Sequence, residues 1–193
     1  MAPQLKQFAG FWTLTGQPPG GTEWTVEEKV RRARQAGFDA MGGRAIVALA
    51  DAAHRAGLDY ICYIDANDRT WRDRLEAAAA TRPVRVNVQL WDHDTPPRVA
   101  ARTWIKMQPL AAKLGLAIDL EVHRDTATET PEKTWAIAAF CQKATGRKCR
   151  FCFDFSHFAV VKHLAAPYAD RLLDHPGLVR LSRQMHLDRK SVV

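Results

Sequence analysis

The feature that most constrains the fold is the regular alternation of strand-like and helix-like segments along the chain. Runs such as FAGFWTL (8–14), DYICYID (59–65) and VRVNVQLW (84–91) are rich in β-branched and aromatic residues. Each is followed by a segment whose apolar residues recur at helical spacing. Strand–helix alternation of this kind is typical of right-handed βαβ units and a parallel sheet. The sequence therefore predicts an α/β protein.

Capping residues mark several helix boundaries. Thr25 and Glu28 predict a capping box at the start of the first helix. Gly57 and Gly115 predict the ends of the second and fourth helices, since glycine adopts the left-handed conformation found there without steric cost.

The polarity of the strand faces indicates how the sheet is arranged. In AIDLEVH (117–123) one face is apolar and the other is polar, and VRVNVQLW, RFCFDF (150–155) and RQMHL (183–187) repeat this pattern. Parallel strands covered by helices on both faces should be apolar throughout. The two-faced strands therefore favour a (β/α)8 TIM barrel over a doubly wound open sheet. We count about seven βα units, so the predicted barrel is incomplete and strand eight is missing.

Three polar side chains are predicted to meet at one end of this barrel. Glu121, Asp154 and His186 lie near the carboxyl ends of the last three strands, where TIM-barrel enzymes keep their chemistry, and His157 follows just after one of them. Two carboxylates and one imidazole form a set of ligands that suits Mn²⁺, Mg²⁺ or Co²⁺. The pattern predicts a divalent-metal site.

A salt bridge is the alternative explanation for Asp154. A carboxylate inside the apolar strand RFCFDF costs several kcal/mol unless a cation compensates it. Arg85 or Arg150 would serve as that cation without any metal. Three polar residues at matching depths favour the metal.

Three motifs, DLEVHRDTATETPEK, CFDFSHF and RQMHL, together resemble the xylose isomerase-like TIM-barrel family of sugar phosphate isomerases and epimerases. The resemblance implies that Glu121 is both metal ligand and catalytic acid/base, that Asp154 and His186 are metal ligands, and that His157 contacts the substrate. His123 faces inward beside Glu121 and is a second candidate for substrate contact, or for a hydrogen bond behind the metal.

The resemblance also implies the reaction and its cofactor. Such enzymes remove a proton from the carbon next to a carbonyl of a sugar or sugar phosphate, with Mn²⁺ expected as cofactor and Mg²⁺, Co²⁺ or Zn²⁺ as alternatives. The identity of the sugar, its phosphorylation, and the choice between isomerisation, epimerisation and dehydration stay open.

The resemblance covers residues 1–187, which we predict to be one partial barrel domain. The family carries a second catalytic glutamate on strand eight, and no counterpart follows Leu187. The last six residues, DRKSVV (188–193), match the translation of a common sequencing adapter, so we predict a non-native tail. The expected consequence is a truncated enzyme with little or no activity and with open barrel edges that lower its stability.

Charge and hydropathy bear on the expected partners. The net charge is +7, but the basic residues are spread along helices, so nucleic acid is not expected as a partner. No apolar run approaches the length of a membrane span, and the N-terminus lacks the layout of a signal peptide. We therefore expect a cytoplasmic protein without membrane contact, and we leave open a homo-oligomer for the full-length parent.

Two alternative functions belong to other classes. An AP endonuclease-like, metal-dependent phosphodiesterase shares this barrel and would suit the basic charge. It needs further histidines at strands two to four, where this chain has MGG and YID. The other alternative is a non-catalytic barrel that binds a sugar or a partner protein, with Asp154 held by a salt bridge.

The four cysteines are too few for a disulfide scaffold. Cys149 and Cys152 form a C-x-x-C whose side chains point to opposite faces of a strand. We interpret them as reduced structural thiols, with a redox motif as the second interpretation.

Overall fold

A computed structural model describes residues 5–161 and 174–186. Its seven strands form one parallel sheet in sequential order. The strands are β1 (Phe8–Gly10), β2 (Ala40–Arg44), β3 (Asp59–Ala66), β4 (Arg85–Leu90), β5 (Ile118–Val122), β6 (Phe151–Asp154) and β7 (Ser182–His186).

The helices alternate with the strands, as the sequence pattern predicts. The α-helices in the described residues are α1 (Val26–Gln35), α2 (Val47–Arg55), α3 (Trp71–Ala80), α4 (Pro97–Lys113), α5 (Pro131–Thr145) and α6 (Phe155–Ala159). Two short 3₁₀ segments, Phe11–Leu14 and Val179–Leu181, precede the start of α1 and of β7.

The sheet curls far enough for the first and last strands to share the interior. Phe8 of β1 packs edge-on against His186 of β7, with ring centroids 5.6 Å apart. The Tyr63 hydroxyl on β3 reaches the same His186 ring at 2.9 Å. The predicted fold class is therefore confirmed: an α/β protein whose seven described strands form an incomplete (β/α)8 TIM barrel.

The two faces of the strands separate apolar from polar residues, as predicted. Leu120, Val122 and Phe153 are fully buried in the main apolar core with the helices. Asp119 and Glu121 alternate with the apolar residues of β5 and are also buried, on the inner face of the sheet. The helix-covered outer face supplies the hydrophobic stabilisation, so the inner face is available for polar groups.

The predicted helix boundaries are confirmed, with one difference at α1. The Thr25 hydroxyl accepts a hydrogen bond from the Glu28 backbone N–H at 3.2 Å, as a capping residue should. The difference is that the Glu28 carboxylate pairs with Arg31 and Arg32 within the helix, so the capping box is only half-formed. Gly57, just after α2, has φ +71°, which fits its predicted place.

Two predicted strands are shorter than expected. The segment 8–14 was predicted as one strand, but β1 ends at Gly10. A 3₁₀ turn follows because the Thr13 hydroxyl bonds back to the Gly10 carbonyl at 2.7 Å and the Trp12 ring folds over Gly10. The segment 150–155 ends at Asp154, which caps the short helix α6.

The predicted domain end at Leu187 and the predicted tail 188–193 lie outside the described residues. Across residues 5–161 and 174–186, every helix is too short or too polar to cross a membrane.

Candidate functional site

The carboxyl ends of β5, β6 and β7 bring three predicted residues together. The Nδ1 atom of His186 lies 3.4 Å from Glu121 Oε1 and 3.7 Å from Asp154 Oδ2. Asp154 and His186 are register partners on adjacent strands. All three side chains are buried, with exposed fractions of 2% for Glu121, 0% for Asp154 and 6% for His186.

Glu121 is held by β4 on one side and by His186 on the other. Gln89 donates a hydrogen bond from Nε2 to Glu121 Oε2 at 3.1 Å, which leaves Oε1 turned toward His186. Burial raises the pKa of Glu121 to about 7, although His186 and the Gln89 hydrogen bond act in the opposite direction. A carboxyl group with this pKa exchanges protons near neutral pH, which suits general acid/base chemistry.

The His186 ring is oriented by contacts on its other nitrogen. Its Nε2 lies 2.9 Å from the Tyr63 hydroxyl and 3.0 Å from Cys152 Sγ. Asn87 donates from Nδ2 to the same sulfur at 3.3 Å. With Nε2 engaged on this side, Nδ1 is directed at the two carboxylates, the arrangement in which an imidazole can act as a ligand.

Asp154 ends β6 and begins α6. Its Oδ1 accepts hydrogen bonds from the Ser156 backbone N–H at 3.0 Å and from the Ser156 hydroxyl. Its Oδ2 faces two imidazoles, with His157 Nε2 at 3.3 Å and His186 Nδ1 at 3.7 Å. The capping role fixes one carboxylate oxygen, so the other is aimed at the cluster.

Arg85, which would have paired with Asp154 in the salt-bridge alternative, pairs with Asp119 at 3.0 Å. Gln184 donates to the same Asp119 oxygen at 2.9 Å. Burial raises the pKa of Asp119 despite its pairing with Arg85. Arg150, the second arginine of that alternative, precedes β6 at its amino end. The salt bridge of Arg85 is therefore made with Asp119, which lies one layer below Glu121 in the barrel interior.

The two histidines predicted to contact substrate lie beside this cluster. His157 is buried, His123 is half-buried, and their ring centroids are 3.8 Å apart. His123 Nδ1 lies 2.6 Å from the Arg124 carbonyl, to which it is placed to donate. The structure brings all five predicted residues together at one end of the barrel.

Three residues that contact the cluster carry no local signal in the sequence. Tyr63, Gln89 and Cys152 hold His186 and Glu121 in place. The polar faces of β4 and β6 already contained Gln89 and Cys152, but nothing local indicated their partners. Tyr63 also supports Trp12, whose ring meets it edge-on at 4.9 Å.

The chemistry of these side chains fits a divalent cation. His186 Nδ1 lies 3.4 Å from Glu121 Oε1 and 3.7 Å from Asp154 Oδ2. Oxygen-rich sites with one nitrogen suit Mn²⁺ or Mg²⁺. No group of three His, Cys, Asp or Glu within the described parts of the chain is already arranged to coordinate a cation.

No protein-family model and no curated protein matches the sequence. The structure is similar to D-allulose 3-epimerase from Methylomonas sp., with a TM-score of 0.60 and 16% identity over 87% of this chain and 70% of that one. The chain has the fold of the sugar 3-epimerases.

Two further structures support this assignment of the fold. L-ribulose 3-epimerase matches with a TM-score of 0.60 and 15% identity over 83% of this chain and 64% of that one. The probable 3-DHS dehydratase AsbF from Bacillus anthracis matches with a TM-score of 0.61 and 14% identity over 94% of this chain and 72% of that one. The incomplete TIM barrel implied by the sequence motifs is therefore the observed fold.

Proposed function

We propose that this chain carries the proton-transfer site of a sugar or sugar phosphate isomerase or epimerase. The observation that carries the proposal is the convergence of Glu121, Asp154 and His186 at the carboxyl ends of neighbouring barrel strands. The fold supports it, because the similar structures include epimerases of D-allulose and L-ribulose. The reaction removes a proton from the carbon next to a carbonyl.

Glu121, Asp154 and His186 would hold the divalent cofactor, with Mn²⁺ as the first candidate and Mg²⁺, Co²⁺ or Zn²⁺ as alternatives. When bound, such a cation polarises a carbonyl oxygen and offsets the negative charge that develops on it. It would also compensate the two buried carboxylates, which answers the electrostatic problem that Asp154 poses.

Glu121 is the group that takes and returns the proton. Gln89 donates a hydrogen bond to its Oε2, which sets the orientation of the carboxylate for the transfer. Tyr63 and Cys152 keep the His186 ring from turning. We assign His157 and His123 to sugar binding, because they form one side of the cluster and imidazoles donate to and accept from hydroxyl groups.

The similar structures support a sugar as the substrate class. One of them holds D-allulose and another was determined in the presence of D-fructose. The dehydratase AsbF has the same fold, so dehydration is the alternative reaction for this site. A cytoplasmic location, the lack of a nucleic-acid partner and a homo-oligomeric parent stay predictions.

Hydrogen exchange tests the proposal more sensitively than turnover. We would incubate the 193-residue chain with Mn²⁺ and a ketose, free or phosphorylated, in D₂O and measure deuterium at the carbon beside the carbonyl. One acid/base group can remove a proton and return a deuteron on the same side, so exchange is expected without formation of the epimer. This agrees with the predicted low turnover of the chain.

The control variant for this experiment changes Asp119, a second buried carboxylate on β5. Glu121→Gln should reduce exchange by about 100-fold or more, the usual contribution of general acid/base catalysis. Asp119→Asn should retain it, because Asp119 pairs with Arg85 in the layer below. Exchange that is equal in the parent chain and in Glu121→Gln would contradict the proposal.

A further inference from the structure

A cleft of about 490 Å³ lies between α4 and α5, at the opposite end of the barrel from the candidate site. Its lining includes Thr145, the last residue of α5, and Ile118, the first residue of β5. The cleft therefore opens at the amino ends of the strands. The proposed sugar chemistry lies at the carboxyl ends and does not use it. A volume of this size falls within the range of small-molecule sites, roughly 300–1,000 Å³.

One wall of the cleft is apolar and belongs mainly to α4. Trp104, Ile105 and Pro109 line it, and Ile118 continues the apolar surface from β5. Pro109 is exposed, and Ile105 and Ile118 are half-buried, so part of this surface is open to a ligand. Small-molecule sites are lined mainly by apolar and aromatic side chains with a few polar groups. The wall is suited to the apolar part of a ligand.

A second wall is basic and follows the turn that ends α5. Gly146 has φ +69°, and its N–H bonds to the Gln142 carbonyl at 2.9 Å, which ends the helix. The left-handed residue turns the chain back toward β6. The returning segment contributes Arg147, Lys148 and Arg150 to the lining of the cleft.

The charge of this basic wall is not compensated inside the cleft. All of the lining comes from residues 95–118 and 133–153, and neither segment contains an Asp or a Glu. In the part of the chain that the structure describes, the three basic side chains form no ion pair with a carboxylate. Positive charge around a concave surface concentrates anions there.

Arg150 distinguishes a ligand site from ordinary compensation of a helix end. Basic residues near the end of a helix compensate the partial negative charge of its last carbonyls, and Arg147 and Lys148 are placed to do this for α5. Arg150 instead precedes β6 and is half-buried. Among the described residues its guanidinium has neither a hydrogen bond nor an ion pair. A partly buried charge without a partner costs stability, which a bound anion would offset.

We propose that this cleft binds a small amphipathic anion. The apolar body of the ligand packs against Ile105 and Pro109, and its carboxylate, phosphate or sulfonate group pairs with the basic wall. The guanidinium of Arg150 is the first contact for this group, because its planar donors suit two oxygens at once. The ligand is distinct from the sugar substrate, since the two sites lie at opposite ends of the barrel.

Two dyes that differ by a single charged group test the proposal on the full chain. Anilinonaphthalene sulfonate carries one sulfonate, and N-phenylnaphthylamine is its neutral counterpart; the fluorescence of both rises on binding to apolar surface. We expect the sulfonate to bind at least about tenfold more tightly at low salt, and its affinity to fall as salt is added. Equal affinities for the two dyes, or a sulfonate affinity that salt does not lower, would overturn the proposal.

Charge variants locate the anion at the basic wall. Replacing Arg147, Lys148 and Arg150 together by Gln should weaken binding of the sulfonate about tenfold and leave the neutral dye unchanged. Arg150→Gln alone should account for most of this loss. If these cations only compensate the end of α5, the triple variant loses stability while binding of the sulfonate is unchanged, and the proposal is wrong.

The matched charge control removes three exposed arginines outside the cleft. Replacing Arg69, Arg74 and Arg102 by Gln changes the net charge by the same amount, and none of the three lines the cleft. Binding of the sulfonate should stay within about twofold of the parent. A loss equal to that of the cleft variant would show a general charge effect and would contradict a site at this cleft.

A steric variant locates the apolar part of the ligand. Ala112 is exposed and lines the cleft, so Ala112→Phe should fill part of it without disturbing the core and should weaken binding of both dyes. Ala139→Phe, at an exposed position of α5 outside the lining, is the control and should bind both dyes as the parent does. Circular dichroism checks that each variant is folded. Binding that Ala112→Phe leaves unchanged would place the dye elsewhere and refute the proposal.

Discussion

At the residue scale, the site is dominated by the burial of two carboxylates beside one imidazole. Glu121 and Asp154 are almost completely buried, and His186 approaches an oxygen of each. Buried carboxyl groups cost stability unless charge or hydrogen bonds compensate them. Buried ionisable groups of this kind mark a candidate functional site.

Glu121→Gln is expected to stabilise the metal-free chain at alkaline pH. The folded pKa of Glu121 is raised from 4.5 to about 7. The free energy of unfolding of the parent chain is unaffected by ionisation of Glu121 below pH 4.5. It falls as the pH rises through 7, because ionising this buried carboxyl costs more free energy in the folded than in the unfolded state. The difference in free energy of unfolding between the variant and the parent should grow by roughly 3 kcal/mol across this range.

Urea denaturation at pH 5 and pH 8 measures this effect. Asp119→Asn is the matched control for a buried carboxyl that has an arginine partner. A difference between Glu121→Gln and the parent that stays constant with pH would show that Glu121 is already ionised in the folded state.

The predictability of the site also differs from residue to residue. The convergence of Glu121, Asp154 and His186 could be predicted because a position at the end of a parallel strand is a local property of the sequence. Tyr63 could not, because its contact with His186 joins residues that lie 123 positions apart. The register and curl of the whole sheet decide that contact.

At the scale of elements, local patterns account for most of the fold. The alternation of polar and apolar residues gave the two faces of β5 and β6, since side chains alternate along any strand. The turn at Phe11–Leu14 was missed because Trp12 packs against Tyr63 of β3, a tertiary contact that overrides the strand-like composition. The half-formed capping box at α1 has a similar cause, since Arg31 and Arg32 compete for the Glu28 carboxylate.

Thr25→Ala should destabilise the chain through the start of α1. The Thr25 hydroxyl satisfies the Glu28 backbone N–H, and loss of such a cap costs about 1 kcal/mol. Thr22→Ala, an exposed substitution in the preceding loop, should change the free energy of unfolding by less than about 0.5 kcal/mol. Equal effects of the two substitutions in urea denaturation would contradict the capping role.

At the scale of the whole molecule, the barrel places its candidate site at one end. The carboxyl ends of the strands bring together Glu121, Asp154 and His186. The Arg85–Asp119 pair with Gln184 lies in the interior, one layer below. The fold and the convergence of the three side chains could be predicted from the sequence, because both follow from the order and the faces of the strands.

The most direct test of the candidate site is calorimetric titration of the full chain with Mn²⁺ after dialysis against a chelator. We expect one site per chain in the parent and in Asp119→Asn. Asp154→Asn and His186→Asn should each weaken binding by at least about tenfold, since each removes a ligand. Failure of the folded chain to bind Mn²⁺, Mg²⁺, Co²⁺ and Zn²⁺, or binding unchanged by Asp154→Asn, would contradict the metal site and favour a non-catalytic barrel.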